Sequence, residues 1–364
     1  MNKIPSESNP TQLDMTCPRL SLPQVGIVAT ICCALLGVIP TGWHSIEEFQ
    51  PETNYRIPYE LSRDYGHIER LLQQASNENA ILMLGDSAIW GEYALPDETL
   101  SAALSQMSDQ RFANVGVNGM HPLALEGLAN LHLSQIRKSK VILHCNLLWL
   151  SSPERDLSAE EAQSFNHSQL VSQFARRIPS YQTTLANRVG IVVQRQLPFR
   201  KTVFHVRTAY FEGNDLHRWT LQNPYDNPMS AIGQLPRPSE ELRHAPKSWR
   251  QSRIPIQNYR WVDIDESLQW QAMQSTVRTL SQDGHDVLVL VGPFNVHLLS
   301  EENAKIYRGL RAEICHWFEN NAVTYVAPTW LASDLYADAS HPLADGYAEL
   351  AEVLLKNKTF FDWL

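Results

Sequence analysis

The sequence has few cysteines and none of the spacings by which proteins bind zinc or iron. Its 364 residues include five cysteines, with no Cys-x-x-Cys pair and no cluster of cysteine with histidine. No phosphate-binding loop and no internal repeat is visible. Basic residues are also few, since 30 Lys and Arg against 39 Asp and Glu leave a net charge of −9. We therefore expect no metal, no cofactor and no nucleic-acid partner.

Long uncharged apolar stretches are absent as well, except for one near the N-terminus. Residues 25–40 carry no charge, and the apolar segment extends to Trp43. Because roughly 20 apolar residues span a bilayer as a helix, we expect a transmembrane anchor over 22–43. An uninterrupted run of about 16 residues is short for a span, so the core of a signal peptide is the alternative. Lys3 and Arg19 precede the segment and glutamates follow it, which favours an N-terminus inside.

From residue 60 onward, short apolar runs alternate with longer amphipathic stretches, except in the middle of the chain. The expected strands are 81–84, 111–115, 140–145, 286–291 and 323–327. The expected helices are 60–76, 97–108, 122–137, 264–282, 301–320 and 343–356. Asp97 and Ser300 are the expected N-caps of two of these helices. This alternation predicts the α/β class, with a doubly wound, parallel, five-stranded sheet in flavodoxin-like order.

Two short strings at opposite ends of this region predict one active site. Gly85-Asp86-Ser87 follows the first expected strand, and Asp338-Ala339-Ser340-His341 lies near the C-terminus, followed by Pro342. A serine that ends a strand and begins a helix presents its hydroxyl at the carboxyl edge of the sheet, where α/β proteins bind ligands. Serine becomes nucleophilic when a base takes its proton and a carboxylate orients that base. We therefore expect Ser87 as nucleophile, His341 as base and Asp338 as the orienting carboxylate.

Gly-Asp-Ser combined with a C-terminal Asp-x-x-His-Pro resembles the SGNH, or GDSL, hydrolase superfamily. The resemblance covers about residues 80–150 and 285–355. It implies an oxyanion hole formed by the backbone N–H of Ser87, by Gly119 in the string Asn-Val-Gly-Val-Asn-Gly, and by an asparagine after the third strand. That asparagine would be Asn146, but it stands in His-Cys-Asn-Leu rather than in Gly-x-Asn-Asp and comes about two residues early. The alternative for Asn146 is a cap at the strand end.

Other polar residues are expected at the same edge of the sheet. Asn295 and His297 follow the fourth strand and are candidates to contact substrate, with an ordinary strand-to-helix loop as the alternative. His121 is a third candidate for the pocket, although a cap for the helix that follows it is the more economical interpretation. Asp86 is expected to order the turn before Ser87 through backbone N–H groups. His144 lies inside an apolar strand and is expected to be a hydrogen-bonded core histidine.

The middle of the chain, 151–262, shows neither the strand pattern nor the helix pattern of the remaining sequence. Residues 176–260 contain 8 of the 21 prolines and 14 Lys and Arg against 5 Asp and Glu. We expect a large, loop-rich, basic insertion that leaves from the strand preceding Asn146 and lies over the catalytic edge, presenting a basic face near the triad. Such a face would attract phospholipid headgroups, an anionic envelope polymer or a membrane protein. A solvated surface with dispersed charge is the alternative.

The whole sequence predicts a cytoplasmic tail followed by one anchored α/β domain with an insertion. The expected parts are a disordered tail (1–21), the anchor (22–43), a linker with the first helix (44–78), the first part of the SGNH-like domain (79–150), the insertion (151–262) and the second part (263–364). The predicted location is a bacterial inner membrane, with a single pass and a periplasmic or extracytoplasmic catalytic domain.

The expected activity is that of a serine acyl-ester enzyme. The architecture resembles the accessory proteins of envelope-polymer acylation, such as alginate O-acetylation and lipoteichoic-acid D-alanylation. This resemblance implies an O-acyltransferase that works with an acyl donor, a glycan or polymer acceptor and a polytopic acyltransferase partner. An SGNH esterase or lipase is the alternative, and a non-catalytic envelope scaffold is the second alternative.

Overall fold

A computed structural model describes residues 21–134 and 136–364, and its centre is a five-stranded, all-parallel sheet. The strands are β1 (Ile81–Gly85), β2 (Phe112–Gly116), β3 (Lys140–Cys145), β4 (Asp286–Val291) and β5 (Thr324–Val326). Their order across the sheet is β2-β1-β3-β4-β5. The α/β class and the parallel five-stranded sheet are confirmed. The predictions for the tail, including those for Lys3 and Arg19, lie outside the described residues.

The strands are apolar on both faces because both faces of the sheet are covered. All five residues of β1 are buried, and so are the last five of β3 and of β4. The register places Leu82 beside Val141 and Leu143 beside Val289, so branched side chains stack across the central strands. Continuous rather than alternating hydrophobicity is typical of parallel sheets between helical layers.

Fourteen α-helices are described. They are α1 (Leu22–Ile46), α2 (Tyr65–Asn77), α3 (Ser87–Trp90), α4 (Leu100–Met107), α5 (Pro122–Leu128), α6 (Pro153–Asp156), α7 (Leu185–Gln196), α8 (Pro198–Tyr210), α9 (Leu216–Gln222), α10 (Pro228–Ala231), α11 (Leu268–Gln282), α12 (Glu301–Asn320), α13 (Ala344–Lys356) and α14 (Lys358–Trp363). Helix α4 packs against α13, and α5 packs against α11. Right-handed crossovers place these two pairs on opposite faces of the sheet.

The helix boundaries differ from the predictions at the start of α4 and at the end of α5. The N-cap of α4 is Thr99 rather than Asp97, because the Thr99 hydroxyl accepts the N–H of Ala102 at 3.4 Å. Ser300 is confirmed as the N-cap of α12. The helix predicted over 122–137 changes to a π-helical turn over Ala129–Leu133, where the α-type hydrogen-bond pattern ends.

Helix α1 is the one described helix that is long and apolar enough to cross a membrane. Its stretch Leu22–Pro40 has a mean hydropathy of 2.2, and residues 22–39 are all exposed. The same length and composition also fit a signal sequence. The structure therefore agrees with the predicted apolar helix, and a membrane anchor and a signal sequence both fit it.

The middle segment is more helical than the sequence predicts. It contains α6 to α10, and three of its prolines, Pro153, Pro198 and Pro228, each stand at the start of a helix. Proline is well tolerated there because its missing N–H would have no partner in the first turn. Counting prolines as loop residues therefore gave the wrong structure for these stretches.

A buried polar cluster joins the middle segment to the end of α1. The Glu47 carboxylate accepts hydrogen bonds from Arg70, from Tyr210 and, at 2.7 Å, from Nε2 of His205. The other ring nitrogen of His205 lies 2.5 Å from Asp64 Oδ2. Since these groups are largely withdrawn from water, their mutual contacts keep the charges compensated and fix α8 between α1 and α2.

Candidate active site

The turn from β1 into α3 fixes the position of Ser87. Asp86 is the N-cap of α3, and its Oδ1 accepts the N–H of Ala88 at 3.0 Å. Gly85 has no space for a side chain, because a Cβ there would overlap Ile89 and lie 2.8 Å from the Cβ of His144. Ser87 therefore begins a short helix at the carboxyl end of β1, as the sequence predicts.

The loop from Asp338 to His341 is held by its own backbone and by Asn295. Asp338 Oδ1 accepts the N–H groups of Ser340 at 3.0 Å and of His341 at 3.1 Å. The Asn295 side chain donates to the Asp338 carbonyl at 3.1 Å, and the Asn295 N–H donates to the Ala339 carbonyl at 2.8 Å. Asn295 is completely buried, so it supports this loop rather than standing at the pocket surface as a substrate contact.

The structure brings Ser87, His341 and Asp338 together in one hydrogen-bonded chain. The Ser87 hydroxyl lies 2.8 Å from Nε2 of His341. Nδ1 of the same ring lies 2.8 Å from each carboxylate oxygen of Asp338. A ring held in this way donates from Nδ1 to the carboxylate and presents Nε2 as the acceptor for the serine proton.

The surroundings shift the pKa values of His341 and Asp338, the two ionisable residues of the triad. Burial opposes the charged form of His341, but the Asp338 carboxylate outweighs it and, with Asp86 and Glu92, raises the pKa of the ring above its ordinary value. Burial likewise opposes ionisation of Asp338, but His341 and two backbone N–H groups hold the pKa of that carboxyl below its ordinary value. Asp338 is therefore ionised at neutral pH, and its charge favours the imidazolium that forms when His341 takes a proton.

Asp86 is the centre of a second buried network beneath the nucleophile. Its Oδ2 accepts from the Asn146 side-chain amide at 2.7 Å and from the Trp149 indole at 2.9 Å. Nδ1 of His144 lies 3.1 Å from Oδ1, without the alignment of a hydrogen bond. Burial opposes ionisation, but His144, His341 and the Asn146 amide outweigh it and hold the pKa of Asp86 well below its usual range. Asp86 therefore accepts hydrogen bonds from side chains as well as from the backbone N–H that the sequence predicts.

The candidate oxyanion donors follow the strands on either side of β1. Gly116, the last residue of β2, pairs with Gly85, so the loop containing Gly119 begins next to the Ser87 turn. Gly119 has a φ of +71°, and a Cβ there would overlap the side chain of Asn166. Both features require glycine at this position. Asn146 follows β3, and one proton of its amide is already directed to Asp86.

The three other predicted residues differ in burial and in their contacts. His297 is exposed, and its Nε2 lies 3.2 Å from the Leu331 carbonyl. His121 is buried, with Nε2 at 3.1 Å from the Asn166 carbonyl, and its side chain makes no cap bond to α5. His144 is buried, but neither of its ring nitrogens has a hydrogen-bond partner in the described part of the chain. The expected core position of His144 is confirmed, and its closest polar contact is Asp86 Oδ1, 3.1 Å from Nδ1.

Beside the triad lie three residues that were not predicted, Glu92, Tyr93 and His244, and one, Arg243, that belongs to the predicted basic segment. The Tyr93 ring centre lies 5.7 Å from that of His341, and burial with the charges of Asp338 and Glu92 raises the pKa of Tyr93 to about 12. The Glu92 carboxylate accepts from Arg243 and from His244, each at 2.8 Å. Arg243 and His244 are far from Glu92 in the sequence, so no local pattern signals these contacts.

The end of the middle segment thus lies beside the triad. Besides the pair on Glu92, Trp249 donates its backbone N–H to the Tyr336 carbonyl at 2.9 Å and its indole N–H to the Ser333 carbonyl at 2.9 Å. Residues 243–249 therefore connect the loop after Ser87 with the loop before Asp338. The sequence predicts this placement for the whole of 176–260, whereas the contacts beside the triad come from 243–249, where Glu92 compensates the Arg243 charge.

Among residues 21–134 and 136–364, no group of three or more His, Cys, Asp and Glu side chains is arranged to hold a metal ion. No protein-family model matches this chain, and no curated protein matches it significantly. The resemblance to SGNH hydrolases therefore depends on the motifs alone.

Proposed function

We propose that this protein is a membrane-anchored, SGNH-like serine acyl-ester enzyme. The observation that supports it is the continuous chain of contacts from the Ser87 hydroxyl through His341 to Asp338, with 2.8 Å at each junction. Nucleophilic acyl transfer requires this arrangement of a serine, a base and an ionised carboxylate. A purely structural role would give no reason for a polar chain of this kind at the carboxyl edge of the sheet.

The mechanism follows from these positions. His341 Nε2 takes the proton of Ser87 as Oγ attacks the ester carbonyl, and Asp338 stabilises the imidazolium. The oxyanion of the tetrahedral intermediate accepts the backbone N–H groups of Ser87 and Gly119 and the second amide proton of Asn146. His341 then protonates the departing alcohol, which leaves an acyl-serine. An acceptor hydroxyl, activated by the same ring, takes the acyl group and restores Ser87.

We propose a glycan or polymer hydroxyl as that acceptor, which makes the enzyme an O-acyltransferase. Helix α1 would hold the domain at the outer face of a bacterial inner membrane, next to a polytopic acyltransferase that delivers acyl groups. The observation that favours this activity over a free esterase is the candidate membrane helix joined by buried contacts to the catalytic domain. With water as the acceptor, the same site is an esterase.

The nucleophile is tested with a fluorophosphonate probe on the full chain in detergent. We expect the probe to label the wild type and not Ser87→Ala or His341→Ala, because phosphonylation needs an activated serine. Ser239→Ala, which changes an exposed serine, is the matched control and should be labelled fully. Labelling that persists in Ser87→Ala would place the nucleophile elsewhere, and a wild type that is never labelled would favour the scaffold.

Transfer and hydrolysis are distinguished by their products. The full chain is incubated with an activated acetyl ester, with and without an envelope oligosaccharide, and the acylated sugar is measured by mass spectrometry. We expect the sugar ester to form at the expense of free acetate. Acetate alone, at an unchanged rate, would establish the esterase.

A further inference from the structure

A cavity that is separate from the triad lies between α2, α7 and α8. It has a volume of about 480 Å³. Its cationic side chains are Arg63, Arg195, Arg200, Lys201 and Arg207. Apolar side chains such as Ile191, Val203 and Phe204 complete the wall. A cavity with this composition fits a ligand that carries both an anionic group and an apolar part.

Most of the positive charge of this cavity is not compensated by the protein, although Lys201 lies 3.5 Å from the Glu69 carboxylate. Asp64 is the one carboxylate in its wall, and that group is already bonded to His205. Arg195 donates to the carbonyls of Gln169 and Val171, which orients the guanidinium without neutralising it. Within the described chain, Arg63 and Arg200 form no ion pair.

The cavity lies close to the end of the candidate membrane span. Lys201 is shared between it and a neighbouring groove that reaches Pro40 and Trp43 of α1. Pro40 ends the apolar stretch of α1, and tryptophan at such a position suits the headgroup layer of a bilayer. If α1 spans the membrane, as the proposed function states, the cavity lies at the depth of the lipid headgroups.

Helix α7 carries an apolar stripe that no described part of the protein covers. Leu185, Val189 and Val193 follow one another at intervals of four residues and are 70%, 47% and 51% exposed. Leu197, at 44%, extends the stripe to the junction with α8, next to the residue Pro198 that lines the groove at Pro40. An amphipathic helix in this position can lie in the membrane surface with its apolar side among the acyl chains.

We propose that this cavity binds the phosphate headgroup of an anionic glycerophospholipid, whose acyl chains contact the stripe of α7. Guanidinium groups recognise phosphate through paired N–H donors, and the lipid supplies the apolar part that a soluble anion lacks. Arg63 also donates to the Asn166 side chain at 3.4 Å, and Asn166 packs on Gly119. The bound lipid would thus lie next to the loop that carries the proposed oxyanion donor.

Native mass spectrometry of the full chain in detergent measures this affinity directly. Phosphatidylglycerol and phosphatidylcholine are titrated against the wild type and a variant with both Arg63→Gln and Arg200→Gln. We expect the wild type to prefer phosphatidylglycerol, and the double variant to lose roughly 25-fold in affinity for it, about fivefold for each cation. Arg218→Gln with Arg237→Gln removes the same charge from exposed sites outside the cavity and should leave the affinity unchanged.

Equal binding of the two lipids, or equal effects of the two double variants, would overturn the proposal. So would competition by glycerol 3-phosphate or an anionic oligosaccharide at the concentrations at which phosphatidylglycerol binds, since the site would then recognise a soluble anion or a polymer.

Photo-crosslinking separates this proposal from the membrane anchor on which it depends. A photoreactive amino acid replaces Phe204, in the cavity wall, or Leu35, in α1, of the full chain in phosphatidylglycerol nanodiscs. We expect lipid adducts at both positions. An adduct at Leu35 without one at Phe204 would overturn the lipid site and keep the anchor. No adduct at either position would overturn both.

Discussion

The α/β domain and the middle segment of this protein follow different rules. In the α/β domain, each element is specified by its own residues: a buried apolar strand, a cap, an amphipathic helix. In residues 151–262, the structure depends on distant partners, such as Glu47 for His205 and Glu92 for Arg243. We infer that the two regions have different roles. The edge of the sheet carries out the chemistry, and the middle segment contacts the molecules around the domain.

The largest expected effect tests whether the sheet edge alone carries the chemistry. His341→Ala should reduce kcat for a small aryl ester by roughly 10⁶-fold, because the serine loses its base. Ser87→Ala should lose as much, and the double variant should lose no more, since the two residues act as one unit. His217→Ala, an exposed histidine of the middle segment, is the control and should retain full activity. Additive losses would contradict a shared step.

The next effect concerns Asp338 and is measured as a pH–rate profile. The rate should fall as pH decreases through the pKa of His341, because the protonated ring cannot act as a base. That pKa is raised by Asp338, so the inflection should lie above about 6.5, the ordinary value for histidine. Asp338→Asn should lower kcat by roughly 10⁴-fold and move the inflection to lower pH, since burial remains and the carboxylate charge is lost. If the inflection did not move, Asp338 would not be the group that raises the pKa of His341.

A smaller effect distinguishes the two possible roles of Asn146. Asn146→Ala should reduce kcat by roughly 10²- to 10³-fold if the amide holds the oxyanion. Trp149→Phe removes the other side-chain donor to Asp86 Oδ2 and leaves Asn146 in place, so it serves as the matched variant. We expect a clearly smaller loss for Trp149→Phe. Equal losses would mean that Asn146 acts only through Asp86.

The smallest effect tests the middle segment. Reversal of Lys247, Arg250 and Arg253 to Glu should change turnover of a soluble ester by less than about twofold, because these side chains are exposed and distant contacts are few. Arg243→Glu should reduce it by about fivefold, since it replaces an ion pair with repulsion at Glu92. Vesicle binding of the triple variant, measured in parallel, should decrease. A large loss of turnover in the triple variant would mean that the middle segment also takes part in the chemistry.

The sequence predicted the sheet well because its signals are local. Each strand lies within about two residues of its expected position, since runs such as Ile81–Leu84 have one plausible structure in a parallel sheet. The positions of Ser87, Asp338 and His341 followed from the rule that strand ends share an edge. Asp97 failed as a cap because Thr99 stands two residues later and competes for the same helix start.

The remaining errors have a common physical cause, which is that long-range contacts carry no local pattern. Asn295 looked like a surface residue of a loop, but its amide satisfies the backbone of the Asp338 loop and is buried with it. His144 looked like an isolated polar group of a strand, and its closest polar contact is Asp86, 58 positions earlier in the chain. Glu92 and Tyr93 could be identified only after the Asp338 loop and Arg243 had been placed around them.

The account depends most directly on an acyl group attached to Ser87. The full chain is mixed with 4-nitrophenyl acetate, quenched in acid and mapped by tandem mass spectrometry. We predict an acetyl group on the peptide that contains Ser87 in the wild type, and none there in His341→Ala. Acetylation that is confined to other residues, or that occurs on Ser87 equally without His341, would contradict the proposed nucleophile and its base.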